Sequence, residues 1–317
     1  MSSDSLLSRR ALLLGAAGSG ALLLPGPAQA DVPASKRFDL TTPSPTLLWR
    51  RPLHSGSWIM QSFGWDNTEQ EIYFAQVKAG STTGDLIITR TTATGRQLGW
   101  MVLRGFGHGV SIGVERHKGA VYLWTESKAN PKSGFGTRIA RFKFVNGKTI
   151  KPTSSGVLDR TPKLPNLKKN PQPAIDPLYN RLLVRFRDGS SRPRVAVFSL
   201  ADARAGRLGP ANVLAEQALP DHPASSPNQG FTGLGQYAYL ISGAQSKDDT
   251  LLHWVDLRSG RRGRFLTHAG KSLLKDKREP EGIAIQVVSG RPRLTFGFSS
   301  GSSPNRRSSL FYKSTLK

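Results

Sequence analysis

The chain has 317 residues, no cysteine, and a formal charge of +24 from 45 Lys and Arg against 21 Asp and Glu. Without thiols there is no disulfide framework, no lipidated cysteine and no thiolate metal site. The length is generous enough for a sizeable core, and a field of this sign gathers polyanions and weakens as salt screens it.

The N-terminus reads as an address. Arg9 and Arg10 precede the apolar stretch ALLLGAAGSGALLL, and Ala28, Gln29 and Ala30 form a small-residue cleavage site. This pattern predicts a twin-arginine signal peptide over 1–30, although ordinary secretory signals also carry arginine pairs. The stretch is shorter than the ~20 apolar residues that cross a bilayer, and no later segment comes closer, so no membrane span is expected. Removing Arg9, Arg10 and Asp4 takes away one unit of charge, leaving about +23 on an exported, extracellular or wall-associated protein. In that compartment the abundant polyanions are teichoic acids, acidic polysaccharides and lipid headgroups, and nucleic acid is not expected. The alternative is that the arginines merely solvate the surface. No cofactor is expected: there is no Gly-rich phosphate loop after a strand and no histidine pair at ligand spacing.

Residues 31–48 read as an N-terminal arm that leads into the first structural unit or closes the last one. From 49 to 317 one phrase recurs five times: a polar residue, usually beside Gly or Pro, a loop of about ten residues, then paired strand-like runs. The openings are Gln61, His108, Gln172, Gln229 and Glu281. The runs that follow, EIYFAQV (71–77), AVYLWTE (120–126), RLLVRFR (181–187), YAYLISG (237–243) and RLTFGFS (293–299), are β-branched and aromatic, as strands require. Each has a partner across turn residues, as in NGK (146–148) and RSGRRG (258–263). Stretches 149–172 and 205–229 read as loops, and ADARAG (201–206) as a helical turn. The reading is an all-β, five-bladed β-propeller, with ~50 residues per blade; a β-sandwich is the alternative, but it leaves the repeated openings unexplained.

The strings QSFGWDNTEQEIYFAQ, FGHGVSIGVE, NPQPAIDPLYNRLLVR, QGFTGLGQYAYLI and REPEGIAI resemble the secreted teichoic acid biosynthesis protein C family of Gram-positive bacteria. That group shares a five-bladed propeller with receptor-binding proteins of staphylococcal phages. The resemblance runs from about Trp49 to the C-terminus. It implies the propeller fold, a link to teichoic acid metabolism, and wall polymers as partners; it implies no catalytic residues.

If the openings begin the innermost strands, Gln61, His108, Gln172, Gln229 and Glu281 form a ring at one end of the channel. Amides, an imidazole and a carboxylate supply the donors and acceptors that polyol hydroxyls need. Trp65 and Phe231 would add flat apolar faces, and Arg104 and Arg185 would hold phosphate. The structural alternative is that the ring satisfies buried backbone groups and bridges blades. Asp66, Glu71 and Asp176 read as caps of turn N–H groups. The leading expectation is a non-enzymatic propeller that binds an anionic cell-wall glycopolymer or another extracellular polyanion. The rival is a wall-polymer glycoside hydrolase or phosphodiesterase that uses Glu281 and His108, with no metal; a third reading is an interaction protein that docks on another envelope component.

Overall fold

The computed structural model describes residues 32–317, and the signal peptide expected over 1–30 lies outside them. Five sheets, antiparallel apart from the parallel pairing of Thr149–Ile150 with Gln97–Leu103 at the edge of blade 1, are arranged in a ring, and the molecule is a five-bladed β-propeller. The innermost strands of blades 1 to 5 are Trp58–Asp66, Ile112–His117, Lys169–Asp176, Asn228–Leu234 and Glu279–Val288. Each packs against the innermost strands of both neighbouring blades.

The second strands answer to the apolar runs: Glu71–Lys78, Ala120–Ala129, Arg181–Arg187, Tyr237–Ser242 and Arg291–Ser300. In Glu71–Lys78 every residue but the last is buried. A blade is covered on both faces by its neighbours, so its central strands lose the polar alternation of a one-sided sheet. Each of five clusters of buried apolar residues draws its members chiefly from two adjacent blades. The core is thus five inter-blade layers around an axis.

The ring is closed by the N-terminal region. Thr46–Arg51 becomes the outermost strand of blade 5, paired antiparallel with Arg307–Lys313. Ahead of it Phe38 is fully buried, bridges to Leu316, and donates its N–H to Tyr239 Oη at 3.0 Å. The expected arm and propeller segments therefore meet inside one strand.

Three expectations need correction. The ten residues after each opening are not loops: they hold much of the innermost strand, whose glycines and polar residues disguise it. The stretch 205–229 contains the outermost strand of blade 3, Val213–Ala218, whose VLAEQA sequence carries little β preference of its own and is drawn into the sheet by Pro193–Ser199. The stretch 149–172 contributes the short strands Thr149–Ile150 and Leu158–Asp159, and the innermost strand of blade 3 begins within it at Lys169. The helical turn lies at Leu200–Ala205, capped by the Ser199 side chain and ended by Gly206 in the left-handed region. No helix among the described residues is long and apolar enough to cross a membrane.

Candidate functional site at the channel mouth

The sequence feature that marks the openings is a β-bulge. In four of the five innermost strands the pairing register slips at the opening: between Met60 and Ser62, Lys169 and Gln172, Asn228 and Gly230, and Pro280 and Ile283. A bulge sets one residue outside the ladder and re-aims its side chain, and Gln61, Gln229 and Glu281 are such residues. His108 lies on the loop that leads into Ile112–His117. Glycine is required where these bulges meet: Gly282 has φ of 81°, and a Cβ there would stand 2.8 Å from the Cα of Ser62.

Side chains lock the bulged ends together. Gln61 Nε2 donates to Glu281 Oε1 at 2.8 Å, joining blades 1 and 5. Ser62 Oγ donates to the Gly109 carbonyl at 2.6 Å, and Ser111 Oγ to the Pro173 carbonyl at 2.5 Å, joining blades 1 to 2 and 2 to 3. Within blade 3, Arg185 Nη1 donates to Gln172 Oε1 at 2.9 Å.

Burial divides the five openings. Gln61, Gln172 and Glu281 are 4%, 3% and 1% exposed, so they brace the blades and form the floor of the mouth. Gln229 and His108 are half-buried and reachable. Glu281 Oε2 has no protein partner. Its carboxyl is pushed well above the usual carboxylate range, first by burial and then by Glu279, against the Gln61 hydrogen bond and Arg306. Glu279 is also raised by burial, and its Oε2 accepts from Gln245 Nε2 at 3.2 Å. Burial lowers the pKa of His108, whose ring stacks on Phe135 at 4.9 Å. The His108 loop wraps Glu126, which accepts from the Gly109 and Gly136 N–H groups at 2.6 and 2.5 Å and is pushed up to about 7 by burial.

The remaining candidates lie elsewhere. Trp65 and Phe231 are 3% and 1% exposed, and together with residues of all five innermost strands they line a cavity of about 20 Å³ within the channel. That is room for about one water, so the channel has an apolar filling rather than a through passage. Trp65 Nε1 is spent on Thr295 Oγ1 at 3.0 Å. Arg104 is exposed and paired with Asp85 at 2.6 Å, just after Gln97–Leu103, the fourth strand of blade 1. Asp66 and Asp176 accept turn N–H groups and pair with Arg116 and Arg181; Glu71 pairs with Arg90. Glu115 is bound by Arg141, Arg204 and Trp124. The rim also contains residues that sequence reasoning passed over: Asn228, Gln245 and Arg306. Their one sequence signal is proximity to an opening or to a turn. Among the described residues no three His, Asp or Glu side chains gather as a metal ion would need.

A family model, the phage five-bladed β-propeller receptor-binding platform domain, matches residues 59–312. The chain belongs to this family. The closing strand Thr46–Arg51 begins ahead of the matched span. The chain is 28% identical over 288 residues to a Bacillus subtilis (strain 168) protein named "Putative major teichoic acid biosynthesis protein C", covering 86% of this chain and 63% of that one. It also superimposes on the tail fibre of Staphylococcus aureus phage P68 with a TM-score of 0.70 at 21% identity, covering 87% of this chain and 54% of the fibre. The second likeness shows a shared fold. In both cases the chain spans under two thirds of the other protein's length.

Proposed function

We propose that this propeller, after export by the twin-arginine route, binds an anionic cell-wall glycopolymer of the teichoic acid kind at the mouth of its channel and does not cleave it. The observation that carries the reading is the set of register slips that raises polar side chains over an apolar channel filling at one end of the ring. Gln229, His108, Gln245, Glu279 and Arg306 supply the accessible donors and acceptors, while Gln61, Gln172 and Glu281 hold their backbone in place. Membership in a receptor-binding platform family and a relative named for teichoic acid biosynthesis support the polymer class.

One observation favours the hydrolase reading: Glu279 stands close enough to Glu281 to help push its carboxyl above the usual range, as a partner carboxylate does to a catalytic acid. At 1% exposure, however, Glu281 offers no path to a glycosidic oxygen. Incubation with purified wall teichoic acid, following both co-sedimentation and released fragments, separates the two. Co-sedimentation without fragments supports binding. Fragment release that disappears in Glu281→Gln establishes the hydrolase, and neither outcome with any wall polymer refutes both.

A further inference from the structure

Outside the mouth, a cleft of about 490 Å³ opens between the loop that leaves blade 3 and the strands of blade 4. Its walls include His222 and Ser226 from that loop, His253 from Leu251–Asp256, and Arg262 and Arg264 from the outermost strand Arg262–Leu266. The two imidazoles meet edge to face at 4.8 Å, and Ser242 Oγ holds His253 Nε2 at 2.9 Å. His222 Nε2 and Ser226 Oγ are buried with no protein partner. Arg262 and Arg264 are exposed, and neither is paired with a carboxylate among the described residues. The acid on the cleft wall, Asp221, is itself engaged by Arg187 at 3.2 Å.

Unpaired guanidinium groups beside orphaned neutral donors are what a multiply charged oxyanion satisfies, each oxygen accepting more than one hydrogen bond. The volume exceeds what a bare anion fills. We propose that this cleft is a second binding site, one that takes a phosphate ester carried on a polyol: Arg262 and Arg264 face the phosphate oxygens, and His222 and Ser226 donate from the wall. The site is argued from its own residues and does not depend on the mouth. His222 is held down to about 4, first by burial and then by Arg185, and His253 down to about 3, by burial, His222 and Arg264. A bound anion would offset the positive charge of Arg185 and Arg264 that contributes to these shifts.

The test is an NMR titration of the His222 and His253 ring signals with sn-glycerol 3-phosphate, inorganic phosphate and glycerol. Glycerol 3-phosphate is expected to shift both signals saturably, inorganic phosphate less tightly, and glycerol not at all. The double variant Arg262→Gln, Arg264→Gln changes only exposed side chains and is expected to keep the thermal midpoint while weakening the ester roughly tenfold or more. Absence of any shift, an equal response to glycerol, tighter binding of inorganic phosphate than of the ester, or unchanged affinity in the double variant each overturns the assignment. The Gln229→Ala variant at the mouth leaves this titration unchanged, so the two sites fail or stand separately.

Discussion

Glu281 is a carboxyl for which burial and a neighbouring carboxylate both oppose ionisation. Above 4.5, and up to its raised folded value, the folded chain binds more protons than the unfolded one, so stability falls as pH rises through that window. Glu281→Gln removes this slope while keeping the partner for Gln61. Calorimetry is expected to show the variant gaining on wild type between pH 5 and pH 8; a gap that does not change with pH would mean the fold accepts the ionised carboxylate. The cleft histidines His222 and His253 act with opposite sign. Their folded values lie below 6.5, so the stability they contribute is present above 6.5 and is lost as pH falls toward about 4 for His222 and about 3 for His253. His222→Gln is accordingly expected to unfold less steeply in acid than wild type, as followed by tryptophan fluorescence. Glu126 completes this set: replacement by Ala orphans the buried N–H groups of Gly109 and Gly136, at ~1–3 kcal/mol each, so a loss of about 2–6 kcal/mol is expected in denaturant unfolding.

At the scale of elements, the N-terminal strand and the residues ahead of it belong to the folded ring. Phe38→Ala opens a cavity between blades 4 and 5 and is expected to cost about 3–5 kcal/mol in urea unfolding. A cost near zero would mean that the arm only rests on the surface. The strands that a reader of the sequence finds are those covered on both faces: Arg181–Arg187 coincides with the RLLVRFR run. The innermost strands were hidden because bulges, glycines and close backbone approach replace the β-branched pattern there. Val213–Ala218 was hidden because an edge strand borrows its conformation from its neighbour. The site was legible to the same extent. A polar residue beside Gly or Pro marks a break in the ladder on an innermost strand at Gln172, Gln229 and Glu281, whereas Gln61, between Met60 and Ser62, lacks that signal. Nothing in one sequence says whether a bulged side chain faces a partner blade or solvent, so the burial of three of them came only with the fold. Trp65 and Phe231, a step further along the same strands, fall to the channel filling for the same reason.

For the molecule as a whole, the charge of +24 is not all surface field. Arg278, close in sequence to Lys275 and Lys277, is fully buried and donates to the Ala269 and Lys247 carbonyls at 2.7 Å. Arg50 is paired with Asp276, and Arg141, Arg181 and Arg185 are buried as well. The excess over Asp and Glu still leaves unpaired cations such as Arg262 and Arg264 on the outermost strand of blade 4. Affinity for teichoic acid is therefore expected to drop markedly between low and physiological salt, and a neutral polysaccharide is expected to bind far less. Salt-independent binding would show that the arginines only solvate the surface. The most direct test of mouth binding is the dissociation constant for purified wall teichoic acid, measured for wild type, Gln229→Ala at the mouth, and Thr68→Ala in the turn at the other end of blade 1. Gln229 is half-buried and Thr68 exposed, so neither change threatens the fold. Weakening by roughly five- to tenfold in Gln229→Ala, from about 1 kcal/mol of lost hydrogen bonding, with Thr68→Ala unchanged, is the predicted result; equal affinities for all three would contradict binding at the channel mouth.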